Sequence, residues 1–248
     1  MVLRETISRR NLPHWFVPAA WHFVTYRLAG TIPAAVLYQL RDCRDKRWQE
    51  EKAAGTATPK VRDQLHKQFF ASYDQYLDQS CKIDWLADPR IAALIRGNLY
   101  HHRGSKYDLL AYCIMPNHVH VLFRVREDAT AVDSSQPRLL AATGEDFFSD
   151  EAADSKGPLA GIMHSLKSYT ANEANKLLKR TGQFWQHESY DHWVRDEEEL
   201  ERIVDYIVWN PVKAKLVSKP HQWYFGSAVD RFLQDGTDAG FLALPDLR

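Results

Sequence analysis

The chain has 248 residues, of which 45% are apolar and 12% aromatic, enough for one large domain or two small ones with a packed core. It contains no run of eighteen apolar residues, and its start, MVLRETISRRNLPHWF, has arginines but no apolar stretch leading to a small-residue cleavage site, which points to a soluble cytoplasmic protein with no membrane partner. A formal net charge of zero gives no bulk electrostatic argument for nucleic acid, and three separated cysteines, Cys43, Cys81 and Cys113, suggest reduced thiols rather than a disulfide framework or a thiolate zinc site.

After a basic arm carrying Arg4, Arg9 and Arg10, the segment AWHFVTYRLAG (20–30) is rich in β-branched and aromatic residues and reads as a first strand. Thr31-Ile32-Pro33 then opens a helix from about Ala34. The helical pattern runs to about residue 103, with breaks at 54–59 and near Asp88-Pro89. YDLLAYCI (107–114) and HVHVLFRV (118–125) are two pairing strands joined by Met-Pro-Asn, which suits a tight turn or a bulge.

Residues 126–157 carry Ser, Asp, Gly and Pro with little periodicity and predict a flexible linker, with a short helical piece around Leu139–Ala142. PLAGIMHSLKSYTANEANKLLKRTG (158–182) predicts an amphipathic helix opened by Pro158 and closed by Gly182. Its cations Lys167, Lys176, Lys179 and Arg180 make a second basic patch. A further strand is expected within 183–196, followed by a helix over 195–217 whose acidic first turn complements its dipole and which stops or kinks before Pro211. The order predicts an α+β domain, a mainly antiparallel sheet with helices packed on it, over residues 1–228 with a tail at 229–248.

Alternation along a strand puts His118 and His120 on one face, about 7 Å apart at their Cα atoms, a span over which two ring nitrogens can converge on one metal ion. The same spacing also fits two polar residues on a solvated strand face. A second feature stands about ninety residues later. Leu200, Ile203, Val204, Ile207 and Val208 form an apolar helical stripe, and Tyr206 lies roughly 130° from its centre. Asn210, four residues on, shares the Tyr206 side of the helix, so a phenol and an amide are presented together.

MPNHVHVL (115–122), the basic helix HSLKSYTANEANKLL (164–178) and FWQHESYDHWVRDEEELERIVDYIVWNPVKAKLV (184–217) resemble the single-tyrosine HUH transposases. More narrowly, with RRNLPHWFVPAAWHFVTYRLAGTIP (9–33), they resemble the bacterial branch associated with repetitive extragenic palindromes (REP), over most of residues 9–228. The resemblance implies a ferredoxin-like core, His118 and His120 as metal ligands, Asn210 as the third ligand and Tyr206 as nucleophile. It also implies Mg²⁺ or Mn²⁺ as cofactor, a 5′-phosphotyrosine intermediate, and single-stranded or hairpin DNA as partner of a monomer or homodimer.

Arg9, Arg10, Lys167, Lys176, Lys179 and Arg180 are the candidate DNA contacts, the two arm arginines by analogy with guide recognition in that branch. Tyr190 is a rival nucleophile whose other reading is packing on the sheet face. Three features depart from the family pattern: the long acidic linker, Lys215 in place of a glycine, and QWYFGSA (222–228) in place of a tryptophan-rich stretch. The function expected is hairpin DNA cleavage and strand transfer. The alternatives are a domesticated hairpin-binding protein that does not cut, and a small-molecule hydrolase with a His-x-His metal site.

Overall fold

The computed structural model describes residues 6–9, 13–79, 82–126 and 157–230. The arm folds as a small antiparallel pair, β1 (Thr6–Arg9) and β2 (Pro13–Phe16). The predicted linker lies almost wholly outside the described residues, as do Cys81 and Arg10.

The main sheet contains β3 (Trp21–Arg27), β4 (Tyr107–Ile114), β5 (His118–Val125) and β6 (Tyr190–Trp193) in the order β4-β5-β3-β6, every pair antiparallel. Between β3 and β4 come α1 (Ala34–Ala53), α2 (Pro59–Gln79) and α3 (Pro89–His102); α4 (Pro158–Leu177) joins β5 to β6, and α5 (Glu197–Lys213) follows. A β-α-β-β-α-β order with this strand arrangement is the ferredoxin-like core expected. No described helix is long and apolar enough to cross a membrane.

Both sheet faces are covered. Val24, Tyr26, Val119, Val121 and Phe123 pack against α3 and α4 through Ile91, Ile95, Leu99, Ile162 and Leu166. The opposite face, with Phe23 and Leu122, packs against Phe69, Tyr73 and Leu77 of α2 and Leu200, Val204 and Ile207 of α5. The connection between β4 and β5 is a tight turn in which the Met115 N–H bonds to the His118 carbonyl at 2.9 Å, so the two histidines begin a strand that is buried from its first residue. The bulge in this hairpin falls instead at Leu109/Ala111.

Two helix ends differ from expectation. The last helix does not stop before Pro211; it runs through it to Lys213. Proline in the last turn removes only one late intrahelical bond, while its buried ring packs beside Cys113 and Trp223. The helix ends in a Schellman turn, with Lys215 N–H to the Val212 carbonyl and Leu216 N–H to the Pro211 carbonyl, both 2.9 Å. Lys215 is therefore held at φ +60°, the conformation that a glycine adopts freely. Its replacement of glycine keeps the turn and carries the strain. Lys215→Gly is expected to raise stability by about 0.5–1 kcal/mol in urea unfolding.

The same device closes α4 early. Lys179 at φ +52° donates to the Lys176 carbonyl at 3.1 Å, and Arg180 N–H bonds to the Asn175 carbonyl at 3.0 Å, so the helix ends at Leu177 and not at Gly182.

His22 on β3 is fully buried, stacked on Phe16 at 5.3 Å, with Nε2 accepting the Val17 N–H at 3.3 Å. Burial pushes its imidazole down to about 4. Between that value and the ordinary value of 6.5 the unfolded chain binds the extra proton and the folded one does not, so stability falls as pH drops through this window. Going from pH 7 to 4.5 should cost the native protein about 2 kcal/mol more than it costs His22→Leu, measured by urea unfolding at both pH values.

Candidate metal and tyrosine site

The turn before β5 sets the first histidine. Asn117 donates from Nδ2 to the Leu77 carbonyl at 2.8 Å, which turns its Oδ1 toward His118 Nδ1 at 2.6 Å. An amide oxygen can only accept, so His118 Nδ1 carries the proton and its Nε2 presents a lone pair. On the neighbouring strand, Thr25 Oγ1 lies 2.8 Å from His120 Nδ1 and holds the second ring. The two Nε2 atoms face one another at 3.0 Å, both rings fully buried. Burial drives both imidazoles toward the neutral form, His120 to about 3 and His118 well below its ordinary value.

Two helices close over this pair. From α2, Asp74 brings Oδ1 to 3.5 Å from His120 Nε2, and one ligand atom each from Asp74, His118 and His120 lie within 4.8 Å of one another. From α5, Asn210 is fully buried with Nδ2 3.3 Å from His120 Nε2. Among the described residues, Asp74 Oδ1 and Asn210 Oδ1 are buried without a hydrogen-bond partner.

Tyr206 also folds over the histidine face. Its ring lies 5.3 Å from His120, and 5.8 Å from both Phe23 and Phe70. The helical stripe put Tyr206 roughly 130° from its centre; on α5 the residue is partly buried, because Phe70 of α2 packs over its ring. Its hydroxyl is buried and makes no well-formed hydrogen bond among the described residues. Burial, and after it the Asp74 and Asp78 carboxylates, push the phenol far above its ordinary value. Lys213 completes the group, with Nζ 3.3 Å from Asp74 Oδ2, 3.9 Å from Asp78 and 5.4 Å from the centre of the Tyr206 ring.

The donor set fits a small divalent cation. In the metal-free protein two facing Nε2 atoms are satisfied only if one of them carries a proton, and two buried oxygens stay unpaired. Neutral imidazoles at 3.0 Å match adjacent positions around an ion with ligands at about 2.1 Å. Turning the Asn210 amide would present its orphaned oxygen to the same point.

Asp74 was not singled out by the sequence reading. Its signal was there: Phe70, Tyr73 and Leu77 place the apolar stripe of α2 around it, leaving an acid facing the core. Tyr190, by contrast, is a buried sheet residue stacked on Phe70 at 4.3 Å.

The candidate DNA contacts of α4 and its C-terminal turn lie elsewhere, and Arg10 lies outside the described residues. α4 packs on the sheet face opposite the histidines. Lys167 donates to the Gln186 and His187 carbonyls at 3.1 Å, and Lys176 pairs with Glu173 at 2.7 Å. Lys179 forms the left-handed turn, and the Arg180 guanidinium sits 3.8 Å over the Trp85 ring. Arg9 ends β1.

No family model matches the chain. A curated protein of Haemophilus influenzae, "Putative REP-associated tyrosine transposase", is 25% identical over 121 residues, 49% of this chain and 58% of that protein. The chain is similar to the REP-associated tyrosine transposases. It spans 58% of the length of that curated relative. A solved structure, "Structure of the REP associates tyrosine transposase bound to a REP hairpin", is 14% identical with a TM-score of 0.48, covering 93% of this chain and 88% of that one. Of the four stretches that carried the resemblance in the sequence, MPNHVHVL (115–122) and the later part of 184–217 meet at the site through β5 and α5.

Proposed function

We propose that this chain cleaves and transfers single-stranded DNA at palindromic hairpins, with Tyr206 as nucleophile and a divalent cation, Mg²⁺ or Mn²⁺, held by His118, His120 and Asn210. The observation that carries the reading is the meeting of Tyr206 and Asn210 with the histidine pair on one sheet face. When bound, the cation would supply Lewis-acid polarisation of the scissile phosphate.

The rest falls to side chains. Thr25 and Asn117 hold the imidazoles with their Nε2 atoms toward the common point. The Tyr206 oxygen bonds to phosphorus as the bond to the 3′ oxygen breaks, the phenol proton ends on the departing 3′-hydroxyl, and the product is a 5′-phosphotyrosine. At rest, burial beside Asp74 and Asp78 keeps that proton on the phenol, guarding the nucleophile from idle reaction. One chain supplies both tyrosine and histidines, which supports an active site complete within a monomer. Arg9, Arg10, Lys176, Lys179 and Arg180 would hold the DNA backbone, while the Lys167 ammonium is already engaged by the Gln186 and His187 carbonyls.

The test is incubation with labelled hairpin DNA and Mn²⁺ or Mg²⁺. A denaturation-resistant protein–DNA adduct is expected. Hairpin binding with no adduct under either ion would instead select the non-cleaving hairpin-binding protein.

A further inference from the structure

We infer that Asp74 is a fourth donor to the cation and that Lys213 is the charge it holds while the cation is absent. The inference rests on the metal site proposed above but on no step of DNA chemistry. Asp74 is 2% exposed in its side chain, arrives from α2, and keeps one oxygen for each of two roles. Oδ2 accepts from Lys213 at 3.3 Å, while Oδ1, 3.5 Å from His120 Nε2, is buried and makes no well-formed hydrogen bond among the described residues. A buried carboxylate oxygen with no well-formed hydrogen bond beside two neutral imidazoles is costly unless something positive visits it.

Charge separates this set from the three-donor one. Two neutral imidazoles and an amide carry none, whereas adding Asp74 gives the donors one negative charge against the ion's two positive ones, and hard divalent ions bind more tightly as donor charge rises. Lys213 is the natural stand-in. Its side chain is 58% exposed, so its ammonium can leave toward solvent when an ion takes the carboxylate. Cation binding and the Lys213–Asp74 pair are therefore in competition.

The experiment is a Mn²⁺ titration of the full chain at pH 7.5 without DNA, read by the electron paramagnetic resonance signal of free Mn²⁺. Asp74→Asn should weaken Mn²⁺ binding at least tenfold, and Lys213→Gln should tighten it several-fold. Binding by Asp74→Asn within twofold of the native protein overturns the inference, as does weaker binding by Lys213→Gln or no Mn²⁺ binding by the native chain. If Asp74→Asn fails to fold, the largely exposed Lys213→Gln decides alone. A chain that behaves as expected here yet forms no DNA adduct keeps this inference and loses the proposed reaction; an adduct with unchanged binding in Asp74→Asn does the reverse.

Discussion

Tyr206→Phe is expected to lower hairpin cleavage by about 10³-fold or more and to abolish the covalent adduct, while leaving the fold and hairpin binding intact. The reason is local. Phenylalanine keeps the ring contacts with Phe23, Phe70 and His120 and removes only the hydroxyl, which has no well-formed hydrogen bond to lose. Stability should change little, since no well-formed hydrogen bond is lost with the hydroxyl. Gel analysis of labelled hairpin with Mn²⁺, beside a thermal melt, separates the two effects. A variant that melts like the parent and still forms adduct would move the nucleophile elsewhere.

The second large effect is expected at the histidines. His118→Ala should remove metal-supported cleavage by about 10²-fold or more, beyond what loss of an orienting neighbour costs. Truncating a fully buried ring also opens a cavity, so a fall in stability of about 2–3 kcal/mol is expected alongside. Mn²⁺ binding distinguishes the causes: His118→Ala should bind Mn²⁺ weakly even at temperatures where it is fully folded. Asn117→Ala, which leaves both rings in place but frees the His118 proton to choose its nitrogen, should reduce Mn²⁺ affinity by about 10-fold to 100-fold.

Much of this architecture could be read from local pattern. Strands over 107–114 and 118–125 were marked by their apolar and β-branched content, and alternation put His118 and His120 on one face. What local pattern could not say was that this face is covered. The same two histidines fit a solvated face until α2 and α5 pack over them, and that packing is long-range. Asp74 was hidden for the same reason, being forty-four residues from His118 on a helix that looks largely polar.

The helix ends failed in the other direction. Local rules put a stop or a kink before Pro211 in a helix over 195–217 and a stop at Gly182, but Schellman turns centred on Lys215 and Lys179 end the two helices, one just past its proline and one before its glycine. Breakers set preferences of a few kcal/mol at most, and buried packing in the last turn outweighs them.

The most direct test of the account is mass spectrometry of the adduct after nuclease and trypsin digestion. Cleavage after Arg202 and Lys213 yields the peptide 203–213, and the account predicts a nucleotide phosphate bonded to Tyr206 within it. A nucleotide on the peptide 181–195, which carries Tyr190, or on any other residue, would contradict it.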